Sequence, residues 1–207
     1  MRLYDSKKIH YCWFGKKELP AKAVRCINSW KKYCPDYEII EWNEDNYDVY
    51  QNPYTAYAYD NKKFAFLSDY ARLQIVLKEG GLYFDVDVEI VRPLDELLDH
   101  KAFFGFETEE YVNTGLGFGA EANNTIVACM LREYDQLLDG THGTIGCPIL
   151  NTTAKRLWID SIHYVSENLI AKNKHFIGES PKKGLTILAI IPGIGLYFVT
   201  KRKAVQQ

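Results

Sequence analysis

The stretch GGLYFDVDVEIV, residues 80 to 91, reads as a buried strand with an anomaly at its centre. Leu82, Phe84, Val86, Val88, Ile90 and Val91 supply apolar side chains, yet Asp85 and Asp87 interrupt them. Carboxylates are poor strand formers and costly to bury unless something positive meets them. Side chains at i and i+2 of an extended segment point the same way, so on this reading the two acids aim at one spot. Two like charges held together repel, and a bound divalent cation removes the conflict. Hard oxygen ligands suit magnesium or manganese, which keep several waters and bridge one or two carboxylates to substrate phosphates. The competing reading leaves both acids exposed on an edge strand or paired with Lys or Arg, because an isolated D-x-D arises often by chance.

The residues just upstream change that balance. NKKFAFLSDYARLQIVLKEGG, residues 61 to 81, is the clearest helix in the chain, with Phe66, Tyr70, Leu73 and Leu77 forming one apolar stripe. Gly80 can take the positive φ that stops a helix. Asp69 and Arg72 are three apart and share a face, and the Gly80-Gly81 turn brings that helix back against the acidic strand. As a surface ion pair they would contribute little. A guanidinium fork, however, also matches phosphate and sugar oxygens.

Elsewhere strands alternate with helices. KKIHYCWFG (7 to 15) reads as an opening strand, and AKAVRCINSWKKY (21 to 33) as a helix with Pro20 at its first turn and Val24, Ile27 and Trp30 on one face. YEIIEW (37 to 42) follows as the second strand and NEDNYDVYQNPY (43 to 54) as loop. KAFFGFE (101 to 107) and GLGFGA (115 to 120) read as strands, residues 123 to 138 as a helix capped by Asn, and 152 to 169 as helical. The alternation predicts an α/β architecture with a mainly parallel sheet, whose ligands collect at the carboxyl ends of strands. Trp13 and Phe14 precede Gly15 at such an end, where they would serve as a base-stacking wall or as core packing. Asn113 and Thr114 lie at the mouth of the 115 to 120 segment, as acceptor contacts or ordinary loop.

Composition bounds the function. A chain of 207 residues with 47% hydrophobic and 25% charged residues fits a single globular domain. Lys and Arg number 25 against 27 Asp and Glu, so no global basic field exists to grip nucleic acid. The five cysteines are odd in number and lack C-x-x-C spacing, which fits a reducing compartment, and the first residues carry no signal-peptide core. The expected location is cytoplasmic. The segment LTILAIIPGIGLYFV (185 to 199), flanked by lysines and Arg202, is shorter than the ~20 residues a spanning helix needs. It reads either as two strands turned at Pro192-Gly193, or as a basic-flanked surface resting peripherally on the inner face of a membrane.

IHYCWFG near the start, followed by FAFLSDYARLQIVLKEGGLYFDVDVEI, resembles the D-x-D sugar transferases of glycosyltransferase family 32 and the related catalytic domains of large clostridial glucosylating toxins. The likeness joins S-D-x-x-R, a Gly-Gly turn and Y-x-D-x-D at fixed separations, and covers roughly residues 8 to 120 well. It implies a GT-A fold, a Rossmann-like α/β/α sandwich with a mixed, mainly parallel sheet, over a single domain of residues 1 to 207. It also implies a nucleotide-sugar donor and a manganese or magnesium ion. Trp13 would then stack on the base with His10, Tyr11, Phe14 and Gly15 shaping the same wall. Asp69 and Arg72, beside Ser68, would hold the donor sugar and its phosphates. Tyr83 would touch the donor, Asp85 would reach the ribose and the ion's water shell, and Asp87 would bind the ion directly. Family members carry a late His or Ser-Trp element that completes this site. After residue 170 this chain has His175 and no tryptophan, so residues 170 to 207 are expected to be a divergent or truncated portion.

The activity that the resemblance implies is transfer of a sugar from a UDP-linked donor to a glycan, a lipid-linked glycan or another hydroxyl, with retention, in surface or capsular polysaccharide synthesis. The alternative is a catalytically impaired module that binds nucleotide-sugars or glycans.

Overall fold

The computed structural model describes residues 7–105, 114–134, 186–188 and 197–201. Strand β1 (Lys8–Cys12) lies inside a five-stranded sheet and alternates between two apolar layers. Ile9 and Tyr11 face one cluster, with Trp13 continuing the phase, and Cys12 faces the other, followed by Phe14. From β1 the chain forms helix α1 (Ala21–Tyr33) and returns as β2 (Glu38–Trp42), parallel to β1 with Ile9 opposite Ile39. It then forms α2 (Pro53–Asp60) and α3 (Phe64–Glu79) and re-enters as β3 (Gly81–Tyr83) on the other side of β1, again parallel.

Strand β4 (Val88–Ile90), a short 3-10 turn (Asp95–Asp99), β5 (Ala102–Phe104), β6 (Phe118–Ala120), α4 (Thr125–Arg132), β7 (Thr186–Leu188) and β8 (Tyr197–Lys201) complete the described elements. The larger sheet runs β2-β1-β3-β6-β5. Its β3-β6 and β6-β5 pairings are antiparallel, so the sheet is mixed as expected, with β6 running against the other four strands. Ile27 and Trp30 of α1 pack on one face with Leu82 and Phe84, while Leu67, Leu73 and Val76 of α3 and Val127 and Met130 of α4 pack on the other with Tyr83 and Phe118. The result is an α/β/α sandwich.

Three sequence expectations change. The run 80 to 91 is two strands, because the chain turns between β3 and β4 and the second piece joins another sheet, β4-β8-β7. The loop at 43 to 54 ends early: Asn52 caps α2 by accepting the Thr55 amide at 2.9 Å, and Pro53 fills the first helical position, where its missing N–H costs nothing. Val24 is exposed, since the buried face of α1 runs through Ala23, Cys26, Ile27 and Trp30. The Gly80-Gly81 turn is as expected, with φ of 65° and 105°. So is the Asn cap of α4, where Asn124 accepts the Ile126 amide at 3.0 Å. Strands β7 and β8 pair antiparallel across the apolar tail, whose Pro192-Gly193 turn lies outside the described residues, as does the helix expected at 152 to 169. Among the described residues no helix is long and apolar enough to cross a membrane.

Polar side chains of α1 complete the backbone bonding of β4. Ser29 accepts the Ile90 amide at 2.9 Å while donating to the Cys26 carbonyl at 2.6 Å, and the Trp30 indole donates to the Val88 carbonyl at 2.8 Å. All of this is buried, so removing a partner leaves a donor or acceptor with its full desolvation cost. Ser29→Ala is expected to destabilise the protein by about 1–3 kcal/mol, read as a lower urea midpoint with unchanged slope. A midpoint equal to wild type would mean that the Ile90 amide finds another acceptor.

Candidate active site

Because β2 and β3 flank β1 on opposite sides and both run parallel to it, the order reverses at β1. A sheet of this kind opens its crevice at the carboxyl ends of the strands on either side of the reversal. Trp13 to Gly15 leave the end of β1 there, and Asp85 to Asp87 leave the end of β3. The acids do not share an extended strand. They sit in a turn closed by the Val88 amide donating to the Asp85 carbonyl at 3.0 Å, so the alternation that would have aimed both side chains at one spot does not apply. Tyr83 faces α3, Phe84 faces α1, and Asp85 comes back toward α3, where a cation waits.

That cation is Arg72, whose side chain is only 5% exposed. Its Nη2 meets Asp69 Oδ1 at 2.8 Å and Asp85 Oδ1 at 3.3 Å. Its Nε donates to the Ser68 carbonyl at 3.0 Å, and Nη1 donates to Thr114 Oγ1 at 3.5 Å. The guanidinium carbon lies 4.9 Å from the centre of the Tyr83 ring, whose hydroxyl donates to Asp85 Oδ1 at 3.2 Å. Burial holds the Tyr83 hydroxyl well above its ordinary pKa, so it stays a donor. Burial also pushes the neighbouring Cys12 thiol up to about 12, against the pull of Arg72, and keeps it from acting as a thiolate.

The second reading of the acids, pairing with a base, therefore holds for Asp85. Asp87 lies half-buried two residues on, in the same turn. Among the described residues no three His, Cys, Asp or Glu side chains are grouped to hold a metal. Beyond what these acids offer, water and a bound diphosphate are suitable further ligands for a cation. Asp69, Asp85, Asp87 and Arg72 together leave a local excess of two negative charges, and the oxygen-only donor set suits a hard divalent ion.

The first-strand residues point into the protein. His10 is fully buried: its Nε2 bonds the Gly80 carbonyl at 2.8 Å, and its Nδ1 accepts from the Trp42 indole at 3.1 Å. The Tyr11 hydroxyl donates to Glu41 at 2.6 Å on the α1 side. Trp13 is 8% exposed and its indole donates to the Lys17 carbonyl at 2.6 Å, which makes it core packing with an edge at the crevice. Phe14 is buried against Tyr47. Gly15, at φ +94°, donates its amide to Glu44 at 2.7 Å, and the Phe64 ring occupies the space a Cβ would need. Ser68 stands half-buried beside Asp69, its hydroxyl bonded to the Phe64 carbonyl at 2.9 Å.

The structure thus brings Ser68, Asp69, Arg72, Tyr83 and Asp85 together, with Asp87 on the adjoining turn and Gly15 at the neighbouring strand end. Thr114 joins them as a contact of Arg72, and Asn113 lies outside the described residues. Glu44 and Phe64, which pin Gly15, carry no local sequence signal, since each reaches it from another element.

A family model described as "Glycosyltransferase sugar-binding region containing DXD motif" matches residues 20–104. Two curated proteins of Schizosaccharomyces pombe are similar. Inositol phosphoceramide mannosyltransferase 3 is 32% identical over 105 residues, which are 47% of this chain and 28% of that protein. Inositol phosphoceramide mannosyltransferase 1 is 29% identical over 112 residues, 49% of this chain and 34% of that protein. The chain thus spans about a third or less of these relatives. Among solved structures, PaToxG glycosyltransferase superposes with a TM-score of 0.60 at 20% identity, covering 84% of this chain and 75% of that one. The mixed α/β sandwich is accordingly that of the GT-A glycosyltransferases.

His10 generates a pH test. An indole N–H can only donate, so Nδ1 must be bare and Nε2 carries the proton. Protonating Nδ1 would set two donors against each other, and burial lowers the His10 pKa below its ordinary 6.5. The unfolded chain therefore takes the proton first. Stability is complete above about pH 6.5 and drains as pH falls toward the folded-state value. Unfolding free energies measured through this range should fall more steeply for wild type than for His10→Gln; parallel curves would refute the neutral, two-partner histidine.

Proposed function

We propose, from the match of residues 20–104 to the sugar-binding region of the D-x-D glycosyltransferases, that the chain transfers a hexosyl group from a nucleotide-sugar donor to a hydroxyl acceptor. The observation that carries the reading is the buried Arg72 held between Asp69 and Asp85 where β3 turns into the D-x-D. Breaking a sugar-phosphate bond leaves a diphosphate with added negative charge. A guanidinium already fixed in a water-poor position stabilises that charge without reorganising when the bond breaks. Asp69 offers a carboxylate to sugar hydroxyls, and Tyr83 holds Asp85 in register.

Asp87 and Asp85 are the residues that would hold a manganese or magnesium ion, which when bound supplies further neutralisation of the leaving diphosphate. Asp85 shares its Oδ1 with Arg72 and Tyr83, so Asp87 is the acid assigned to direct coordination and Asp85 to the ion's waters and the ribose. The family resemblance supports a uridine diphosphate donor and transfer with retention, the acceptor hydroxyl attacking from the face the diphosphate leaves. The names of the relatives favour a mannosyl group and a lipid-linked acceptor. A cytoplasmic site at the inner membrane face, in the synthesis of surface or capsular polysaccharide, completes the proposal.

Thermal unfolding with uridine and guanosine diphosphates, and with their sugar conjugates, with and without manganese tests it. A donor at about a hundred times its Kd should add about 2.7 kcal/mol to stability, only when manganese is present. Asp87→Ala should abolish that manganese-dependent rise and sugar transfer together, with its ligand-free midpoint near that of wild type. Wild-type transfer and donor binding in Asp87→Ala would overturn the assignment. Donor binding without transfer or donor hydrolysis across a broad acceptor panel would indicate the impaired binding module instead.

A further inference from the structure

Gly115 lies where the chain approaches β6, and its carbonyl accepts the Asp85 amide at 3.0 Å. Its α-carbon packs against the charged pair. A Cβ there would fall within contact distance of Asp85 Oδ2 and 2.8 Å from Arg72 Nη1. The backbone itself does not call for glycine, since the positive-φ glycines are Gly15, Gly80, Gly81 and Gly117. The side chains of Asp85 and Arg72 are the nearest groups that a Cβ at position 115 would meet. The preceding Thr114 is buried, and its hydroxyl takes the outer arm of the same guanidinium.

We infer that Gly115, with Thr114, is a positioning element of the D-x-D site. It fixes Asp85 through a main-chain bond, leaves room for the carboxylate to close on Arg72, and stops rotation of the guanidinium through the threonine hydroxyl. Asp85 is then held from three directions: Gly115 at its amide, Arg72 and Tyr83 at Oδ1, and the Val88 amide at its carbonyl. The kinetic consequence rests on the proposed donor chemistry, whereas the geometric one does not.

Gly119 supplies a matched control within β6. A Cβ there would lie 2.5 Å from Phe103 Cε1 and 2.6 Å from Leu82 Cδ2, apolar groups remote in character from the charged pair. Both Gly115→Ala and Gly119→Ala are expected to lower the unfolding midpoint. At a temperature where both are folded, wild type and Gly119→Ala should show separate Nη1 and Nη2 nitrogen resonances for Arg72, and Gly115→Ala should show them averaged. Gly115→Ala should also lose about tenfold to a hundredfold in kcat/KM for the donor, with Gly119→Ala close to wild type. Thr114→Val should lose part of the same activity and Thr114→Ser should restore it.

Equal behaviour of the two glycine variants, or averaged Arg72 resonances in wild type, would overturn the inference. Should Gly115→Ala fail to fold, wild-type resonances and kinetics in Thr114→Val would overturn it by themselves. A wild-type protein with a locked Arg72 and no transfer from any donor would sink the proposed function while upholding the positioning role.

Discussion

A buried guanidinium governs this structure. Taking Arg72 out of water costs several kcal/mol unless its charge and its donors are met. The protein meets them from every side: Asp69 from the same helix, the Ser68 carbonyl one turn back, Asp85 from the turn after β3, Thr114 from the approach to β6, and the face of Tyr83 beneath. Three stretches of chain, α3, the end of β3 with its turn, and the approach to β6, thereby meet at one side chain. The turn at 85 to 88 is part of this arrangement. Were β3 to continue straight, Asp85 could still face α3, but the chain could not leave the sheet to reach the side of α1, where β4 docks on Ser29 and Trp30.

The second constraint is that β1 is buried on both faces. A strand in that position has no solvent side on which to leave a polar group, so each must find a partner inside the fold. His10 bridges the neighbouring strand and the helix end through Trp42 and Gly80, while Tyr11 reaches Glu41. These bonds hold β1 between β2 and β3 and so set the spacing between the ends of β1 and β3. The side chains of the first strand are spent on this internal bonding, and Gly15 is where the chain leaves the end of β1.

Much of this was legible in the sequence, and the parts that were not have physical reasons. Helix α3 announced itself by its stripe and its Gly-Gly stop, and the pairing of Asp69 with Arg72 followed from three-residue spacing. The strand-turn-strand form of 80 to 91 was hidden, because an unbroken apolar alternation is equally compatible with one long strand and with two short ones. What breaks it is a tertiary event, the docking of β4 on Ser29 and Trp30 of α1, which lie about sixty residues away in sequence. Helix α2 was masked by tyrosines, which favour strands, although Asn52-Pro53 carried the start signal of a helix. The inward turn of Trp13 was one of two readings between which nothing local could choose, since burial of an indole at a strand end depends on what the following loop covers.

The turn also makes the two acids unequal, which a strand would not. On an extended segment Asp85 and Asp87 would be near-equivalent carboxylates sharing one repulsion. In the turn Asp85 is engaged by a fixed guanidinium and a phenol, its charge largely answered before any ligand arrives, while Asp87 lies two residues further on toward β4. Held at its amide, its carbonyl and its Oδ1, Asp85 keeps one orientation at the strand end. The pairing with Arg72 therefore fixes one of the two acids of the motif in space before any ligand is bound, which an extended strand with two equivalent carboxylates would not do.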